Sequence, residues 1–410
     1  MPSPFTLAVG LSFFVLAVAI LFFRPEGLGF VPHTADVIAF WYEGIWNGPF
    51  LVFAYQMILI LVLGHVLALT KPANLCIDFA AQYCNTTPKA AMIVSFVCIL
   101  LGLINWGMAL IFGAIFARKI AERATRKGLS INYPLIAASG YTGLMVWHGG
   151  FSGSSLIKVA EKGHLTELVR NSTSLKGVQL PEHIGFSETV LSQMNLSVSV
   201  ALLLVVPFGA YALGKNSRPT RYILRKWKTE KEHPEKELGW AEKFDYKLSP
   251  ALALGFLALV TAVVIAAGAI ASGENNFVNP NFLNIVFLGL GLIGHGSLAN
   301  FGEAVKQAIP GASGILIQFP LYFGIMGVMQ NAGIVQEISA FVVSVSTPLT
   351  YYINTFLSAG FVNILVPSGG GQWMVQGPIL IEASNQLNLP LAKSIMAMAY
   401  GDQITNMLQP

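Results

Sequence analysis

The chain has 410 residues, of which 54% are hydrophobic and only 11% charged, and its mean hydropathy is +0.63. A soluble domain carries about a quarter charged residues, so this composition excludes a soluble globular protein. The net charge of +4 reflects orientation in a bilayer rather than a nucleic-acid partner, and Cys76, Cys84 and Cys98 show neither metal-site spacing nor a disulfide framework.

Apolar runs of roughly 20 residues, the length that spans a bilayer, recur along the whole chain. The first, over 5–23, has no basic region before it, and Arg24-Pro25 is a poor cleavage site. It therefore reads as a retained first helix rather than a signal peptide, with a periplasmic segment after it to residue 48. The first half, 49–213, opens with a span at 49–69 and an amphipathic connector at 72–88. A segment at 90–117, too long for one simple span, comes next. Spans at 131–155 and 190–213 close this half, joined by an outside loop at 156–187. Residues 214–249 form a hydrophilic linker. The second half, 250–410, has spans at 250–272, 281–295 and 311–330, a connector at 332–347, a segment at 351–380 and a last span at 391–410.

Basic residues cluster at Arg118, Lys119, Arg123, Arg126 and Lys127, and again over 215–247. Basic loops stay on the cytoplasmic side, which places the linker and the N-terminus inside. The stretch 331–392 has no Lys or Arg, as befits an outside region, so 351–380 fits a re-entrant hairpin open to the outside better than a full crossing. Asn105-Trp106-Gly107 interrupts 90–117 midway and makes it the matching hairpin from the cytoplasmic side. Each half then runs helix, connector, hairpin, broken helix, starting from opposite faces. The expected fold is an all-α polytopic membrane protein with two inverted repeats, each holding a re-entrant hairpin and a broken transmembrane helix.

The breaks carry the polar chemistry. Pro367-Ser368-Gly369-Gly370-Gly371-Gln372 cannot continue a helix, because proline lacks an N–H and glycine loses the most backbone entropy on ordering. Freed N–H groups there attract a carboxylate, and freed carbonyls attract a small cation. Trp147-His148-Gly149-Gly150-Phe151-Ser152-Gly153-Ser154-Ser155 is the first-half break, with three hydroxyls and one titratable ring. Asp402, near Tyr400 and Asn406, reads as the only carboxylate within a spanning helix, hence as a Na⁺ or H⁺ site. Gln56, His65 and His295 read as helix–helix bonding groups. No Lys or Arg falls in the middle of a predicted span, which disfavours a multiply charged anion and favours a small monoanion moved with a cation. An enzyme using His148 and Asp402 as an acid–base pair would lack a GxSxG or HExxH motif and would need no matched breaks. The alternatives are a transporter of another small organic anion such as a dicarboxylate, and a passive anion channel, which would dissipate a substrate gradient rather than concentrate it.

Trp-His-Gly-Gly-Phe-Ser-Gly-Ser, Val-Pro-Ser-Gly-Gly-Gly-Gln-Trp and Ala-Tyr-Gly-Asp-Gln with Asn-Met-x-Gln-Pro resemble the short-chain fatty acid transporter family, the bacterial butyrate, acetate and acetoacetate uptake type of the ion-transporter superfamily. The resemblance runs from about Phe5 to Pro410. It implies an inner-membrane secondary transporter with hairpin tips at the ligand, a homodimer, and relatives that continue past Pro410 through a further span. Residues and resemblance together assign the substrate carboxylate to Asn105, Trp106, Trp147, His148, Gly149, Ser152, Ser154, Ser368, Gly369, Gly370 and Gln372. They assign the coupling ion, Na⁺ or H⁺, to Asn105, Gly107, Ser155, Ser368, Gly371, Asp402 and Asn406. Na⁺ is the only metal expected, and no other cofactor is.

Overall fold

The computed structural model describes residues 3–170, 175, 178–220, 239–272, 277–366 and 368–408, with only the backbone of Ala241, Glu242 and Leu365. Pro367, Gln409, Pro410 and the middle of the linker lie outside the described residues. Those residues are helical, with no strand among them.

The first half comprises α1 (Pro4–Phe22), α2 (Phe30–Ile45), α3 (Gly48–Ala68), α4 (Lys71–Ala81), α5 (Thr87–Ile104), α6 (Trp106–Lys127) and α7 (Tyr133–Gly140). Two 3₁₀ turns, Thr142–Met145 and Trp147–Gly149, lead to α8 (Ser154–Val159), α9 (His164–Leu168) and α10 (Gln193–Asn216). The second half comprises α11 (Trp240–Asp245), α12 (Leu248–Ala271), α13 (Pro280–His295), α14 (Leu298–Asn331), α15 (Ile334–Ser344), α16 (Tyr351–Leu365), α17 (Gly369–Gln386) and α18 (Leu391–Asn406). Among the described residues, α1, α3, α5, α10, α12 and α14 are long and apolar enough to cross a membrane.

Local chemistry sets many of the helix starts. Asn47 accepts the Phe50 N–H, Asn279 that of Phe282 and Ser297 that of Asn300. Each satisfies one of the donors that a helix leaves orphaned in its first turn. Prolines follow at the first positions of α3 and α13, where the missing N–H costs nothing.

The 34-residue α14 is a central strut packed on α1, α2, α3 and α17. Around it α5 packs on α10 and α6, α16 on α18, α12 on α13, α3 on α6 and α13, α17 on α15 and α18, and α7 against both α5 and α6. The chain breaks between α5 and α6 at one extended residue, Asn105, while α16 ends at its cap Val366 and α17 begins at its cap Ser368. The glycines at the second break are not unwound. They form the first turn of α17, with Ser368 as its cap.

The structure adds detail to three expectations. The segment up to residue 48 contains α2, which packs on α14. Its His33, Asp36 and Glu43 kept it from reading as a span. The outside loop at 156–187 begins as buried structure, because α8 and α9 pack against α17. Finally, Lys158 and Glu382, both outside the predicted spans, are buried rather than at the surface. Lys158 lay just beyond the predicted end of its span, and Glu382 just beyond the predicted end of its hairpin.

Candidate functional site

The two breaks meet. Placing a Cβ on Gly369 would bring it within 2.6 Å of Trp147 Cη2 and 2.9 Å of His148 Cε1. On Gly370 it would lie 2.7 Å from Phe319 Cζ, and on Gly371 2.3 Å from Tyr322 Cδ2. Distances under 3.0 Å leave no room for a methyl, so the three glycines let the start of α17 press on the first-half break and on α14 at once. Close approach, rather than free backbone, is what they supply.

A buried polar chain runs through this junction. His148 Nδ1 lies 2.5 Å from Asp402 Oδ2, and Nε2 accepts from Ser155 Oγ at 2.8 Å and from the Ser155 backbone N–H at 3.3 Å. Because a backbone N–H points at Nε2, the ring proton sits on Nδ1 and is donated to Asp402. Asn406 Nδ2 donates to the same carboxylate oxygen at 2.9 Å. The other oxygen, Oδ1, is buried with no hydrogen-bond partner among the described residues. An uncompensated carboxylate oxygen in an apolar interior leaves room for a small cation beside it. The connectivity Ser155–His148–Asp402 is that of a hydrolase triad, yet Ser155 is fully buried and its own amide shares the imidazole nitrogen.

Beside this chain lies a cavity of about 370 Å³, at the low end of the roughly 300–1,000 Å³ typical of small-molecule sites. Pro4 and Gly311 mark an exposed end, while Trp147, Ser154, Phe319 and Gly369 line a buried one. Its wall is mostly apolar, with Leu61, Leu144, Ile315 and Ile364. The polar exceptions include Tyr141, Ser154, Gln318, Ser368 and Asn406. Trp147 stacks on His148 with ring centroids 4.5 Å apart, and its Nε1–H is buried without a partner among the described residues.

Of the residues expected at the site, Trp106, Trp147, Ser154, Ser368, Gly369 and Asn406 line the cavity. His148, Ser155 and Asp402 stand directly behind it, as the bonded chain just described. The others are engaged by the protein. Asn105 caps α6 through the Met108 N–H and donates to Ile60 O on α3. Ser152 accepts the Trp106 N–H, which ties the first tip to the first-half break. The Gly149 carbonyl accepts from Asn195, whose Oδ1 in turn accepts from Tyr400. Gln372 is buried and donates to Ala359 O and Gln376 Oε1. Gly107 packs on Leu61, and Gly370 and Gly371 on aromatic rings. Sequence reasoning missed Tyr141, Gln318 and Asn195. Each is a single polar residue in an apolar run, and only the fold shows what it faces. No cluster of His, Cys, Asp and Glu among the described residues could hold a metal ion.

An all-helical protein with several membrane-length helices, two helix breaks meeting at an apolar cavity and a buried ionisable pair beside it belongs to the class of polytopic membrane transporters, and comparison with known proteins narrows the class. The chain belongs to the short chain fatty acid transporter family, whose model matches residues 1–410. Relatives from Escherichia coli (strain K12) and Haemophilus influenzae, both provisionally named short-chain fatty acid transporters, are each 32% identical over 416 positions. Each alignment covers 100% of this chain and 88% of the relative. Among solved structures, the YdaH transporter of Alcanivorax borkumensis matches with a TM-score of 0.53 at 12% identity, over 100% of this chain and 88% of that one. MtrF of Neisseria gonorrhoeae, described within a class of antimetabolite efflux pumps, matches with 0.53 at 14% identity, over 99% and 85%. At these identities the two structures share the fold alone. The family is one of transporters, not enzymes.

Proposed function

We propose that the chain is a secondary active transporter that moves short-chain monocarboxylates across the inner membrane together with a cation, and that the 370 Å³ cavity is its substrate site. The observation that carries this reading is a mostly apolar wall broken by a few polar groups, Tyr141 and Gln318 among them. A short acid has the same two parts, an alkyl tail for the wall and a carboxylate for a donor. Ser154, Ser368 and Asn406 supply further donors within the wall. The coupling ion is placed at Asp402 Oδ1, one hydrogen bond behind Asn406. Its positive charge offsets the Asp402 carboxylate, which would otherwise repel a bound anion through that amide.

The same proposal includes the inverted repeat. The order α3, α4, α5/α6 and the α7–α8 break is echoed by α14, α15, α16/α17 and α18, with each helix pair read as a re-entrant hairpin. The N-terminus and the linker are cytoplasmic in this scheme, and the assembly is a homodimer. Butyrate uptake into proteoliposomes, with Na⁺ and H⁺ gradients imposed separately, tests the reading. Concentrative uptake above protein-free liposomes under one gradient supports it and identifies the coupling ion. Absence of uptake under both gradients, from folded protein, contradicts it.

A further inference from the structure

Lys158 plays no part in the site above, yet among the described residues it is the one buried lysine or arginine. Its Nζ donates to Glu161 Oε2 at 2.6 Å and to Gln56 Oε1 at 3.2 Å, and stands 5.4 Å from the centroid of the Phe53 ring. Gln56 is rigidly presented: its Nε2 donates to Asn281 Oδ1 at 3.0 Å, and its backbone carbonyl accepts from Asn284 at 3.2 Å. Glu161 is different, since its side chain is 31% exposed.

The Phe53 ring packs behind the cavity wall, against Phe319. A Cβ on Gly370 would lie 3.1 Å from Phe53 Cζ, and the rings of Phe53 and Phe319 are 5.8 Å apart, with Phe319 in the cavity wall. Phe319, Phe53, Lys158 and Glu161 therefore form a continuous series from the cavity wall to a part-exposed carboxylate. α8 joins the two places covalently, because it carries Ser154 at its start and Lys158 one turn later.

We propose that Lys158 is a second carboxylate-binding site, beyond Phe53 from the cavity, and that Glu161 occupies it as an internal stand-in for the carboxylate of the transported acid. A buried ammonium requires an anion beside it. Glu161 supplies that anion from a part-exposed position, so a solute carboxylate can replace it with no change in the buried charge. Gln56 stays in place as the second acceptor, and the Phe53 ring offers an apolar face to a short alkyl tail. The inference rests on reading the chain as a monocarboxylate transporter, and it adds a point of capture behind the cavity wall.

The test uses the purified full chain with acetate and butyrate as probes. Glu161→Gln removes the internal carboxylate, so the protein unfolds at a lower temperature, and acetate or butyrate restores it while an equal concentration of sulfate or a primary alcohol does not. If Glu161 holds the site about nine-tenths of the time, butyrate protects Glu161→Gln at a concentration roughly tenfold below that needed for wild type. Lys158→Met combined with Glu161→Gln abolishes the rescue, and Lys158→Arg retains part of it. Equal protection of wild type and Glu161→Gln, or rescue that survives Lys158→Met, overturns the proposal. Should the double variant not fold, Glu161→Gln alone decides. Gradient-driven uptake by wild type is scored separately. Rescue without uptake keeps the carboxylate site and removes the transport reading, whereas uptake without rescue removes only the Lys158 site.

Discussion

Asp402 and His148 separate a structural from a functional role most sharply, because two substitutions at one bond have different consequences. In Asp402→Asn the amide oxygen can take the Oδ2 position and still accept from His148 Nδ1 and Asn406 Nδ2, now at 2.5 and 2.9 Å. The amide nitrogen then falls where Oδ1 stands without a partner. One unsatisfied donor costs about 1–3 kcal/mol, partly offset because no charge remains to be buried. In His148→Ala the carboxylate stays, fully buried, with Asn406 as its remaining side-chain donor. Removing one partner of a buried pair costs about 3–5 kcal/mol, and the ring stacked on Trp147 is lost as well. Thermal unfolding followed by size-exclusion chromatography should therefore rank wild type above Asp402→Asn, and Asp402→Asn well above His148→Ala. Butyrate uptake should vanish in Asp402→Asn despite its retained fold, since the amide neither takes up a proton nor offsets a cation's charge, and its nitrogen presents a donor where Oδ1 stood. Wild-type gradient-driven uptake by Asp402→Asn, or a His148→Ala protein as stable as wild type, would refute the reasoning.

Other substitutions probe the junction around this pair. Ser368→Leu fills the tip beside the cavity, so uptake is lost while the elution profile stays that of a folded protein; normal uptake by such a protein would exclude the tip from the site. Gly371→Ala drives a methyl into the Tyr322 ring, 2.3 Å from Cδ2, and overpacking of this kind costs about 1–3 kcal/mol, read as a lower unfolding temperature. Asn195→Ala leaves the Gly149 and Val190 carbonyls and the Tyr400 hydroxyl without this partner. Unfolding at a temperature below that of wild type is expected, with further loss of uptake because Gly149 anchors the Trp147–His148 turn.

Long apolar runs survive translation into structure almost unchanged, because burial in lipid depends on little besides length and hydropathy. The runs at 5–23, 49–69 and 250–272 become α1, α3 and α12 with shifts of one or two residues. Breaks were equally legible, since Asn105, the Trp147–Ser155 segment and the Pro367–Gln372 run each put polar or helix-poor residues inside apolar sequence. What each break does was not legible. Glycine at Gly369 to Gly371 signals either open backbone or close approach, and only the positions of Trp147, Phe319 and Tyr322 decide for close approach. Hydropathy treats a lysine such as Lys158 as the end of a span, whereas Glu161 beside it and Gln56, more than a hundred residues earlier in the chain, together make its burial tolerable. The pairing of His148 with Asp402 spans 254 residues, a separation that no local pattern encodes.

The cavity as the substrate site is the central claim, and a single cysteine tests it most directly. Gln318 lines the cavity and is half-buried. Cys84 and Cys98 are buried, so replacing the exposed Cys76 leaves a background in which Gln318→Cys alone should react with a small charged thiol reagent. In proteoliposomes the modified protein should lose butyrate exchange, and butyrate present during the reaction should slow the modification in a concentration-dependent way. Full exchange after complete modification, or modification at a rate indifferent to butyrate, would contradict the account.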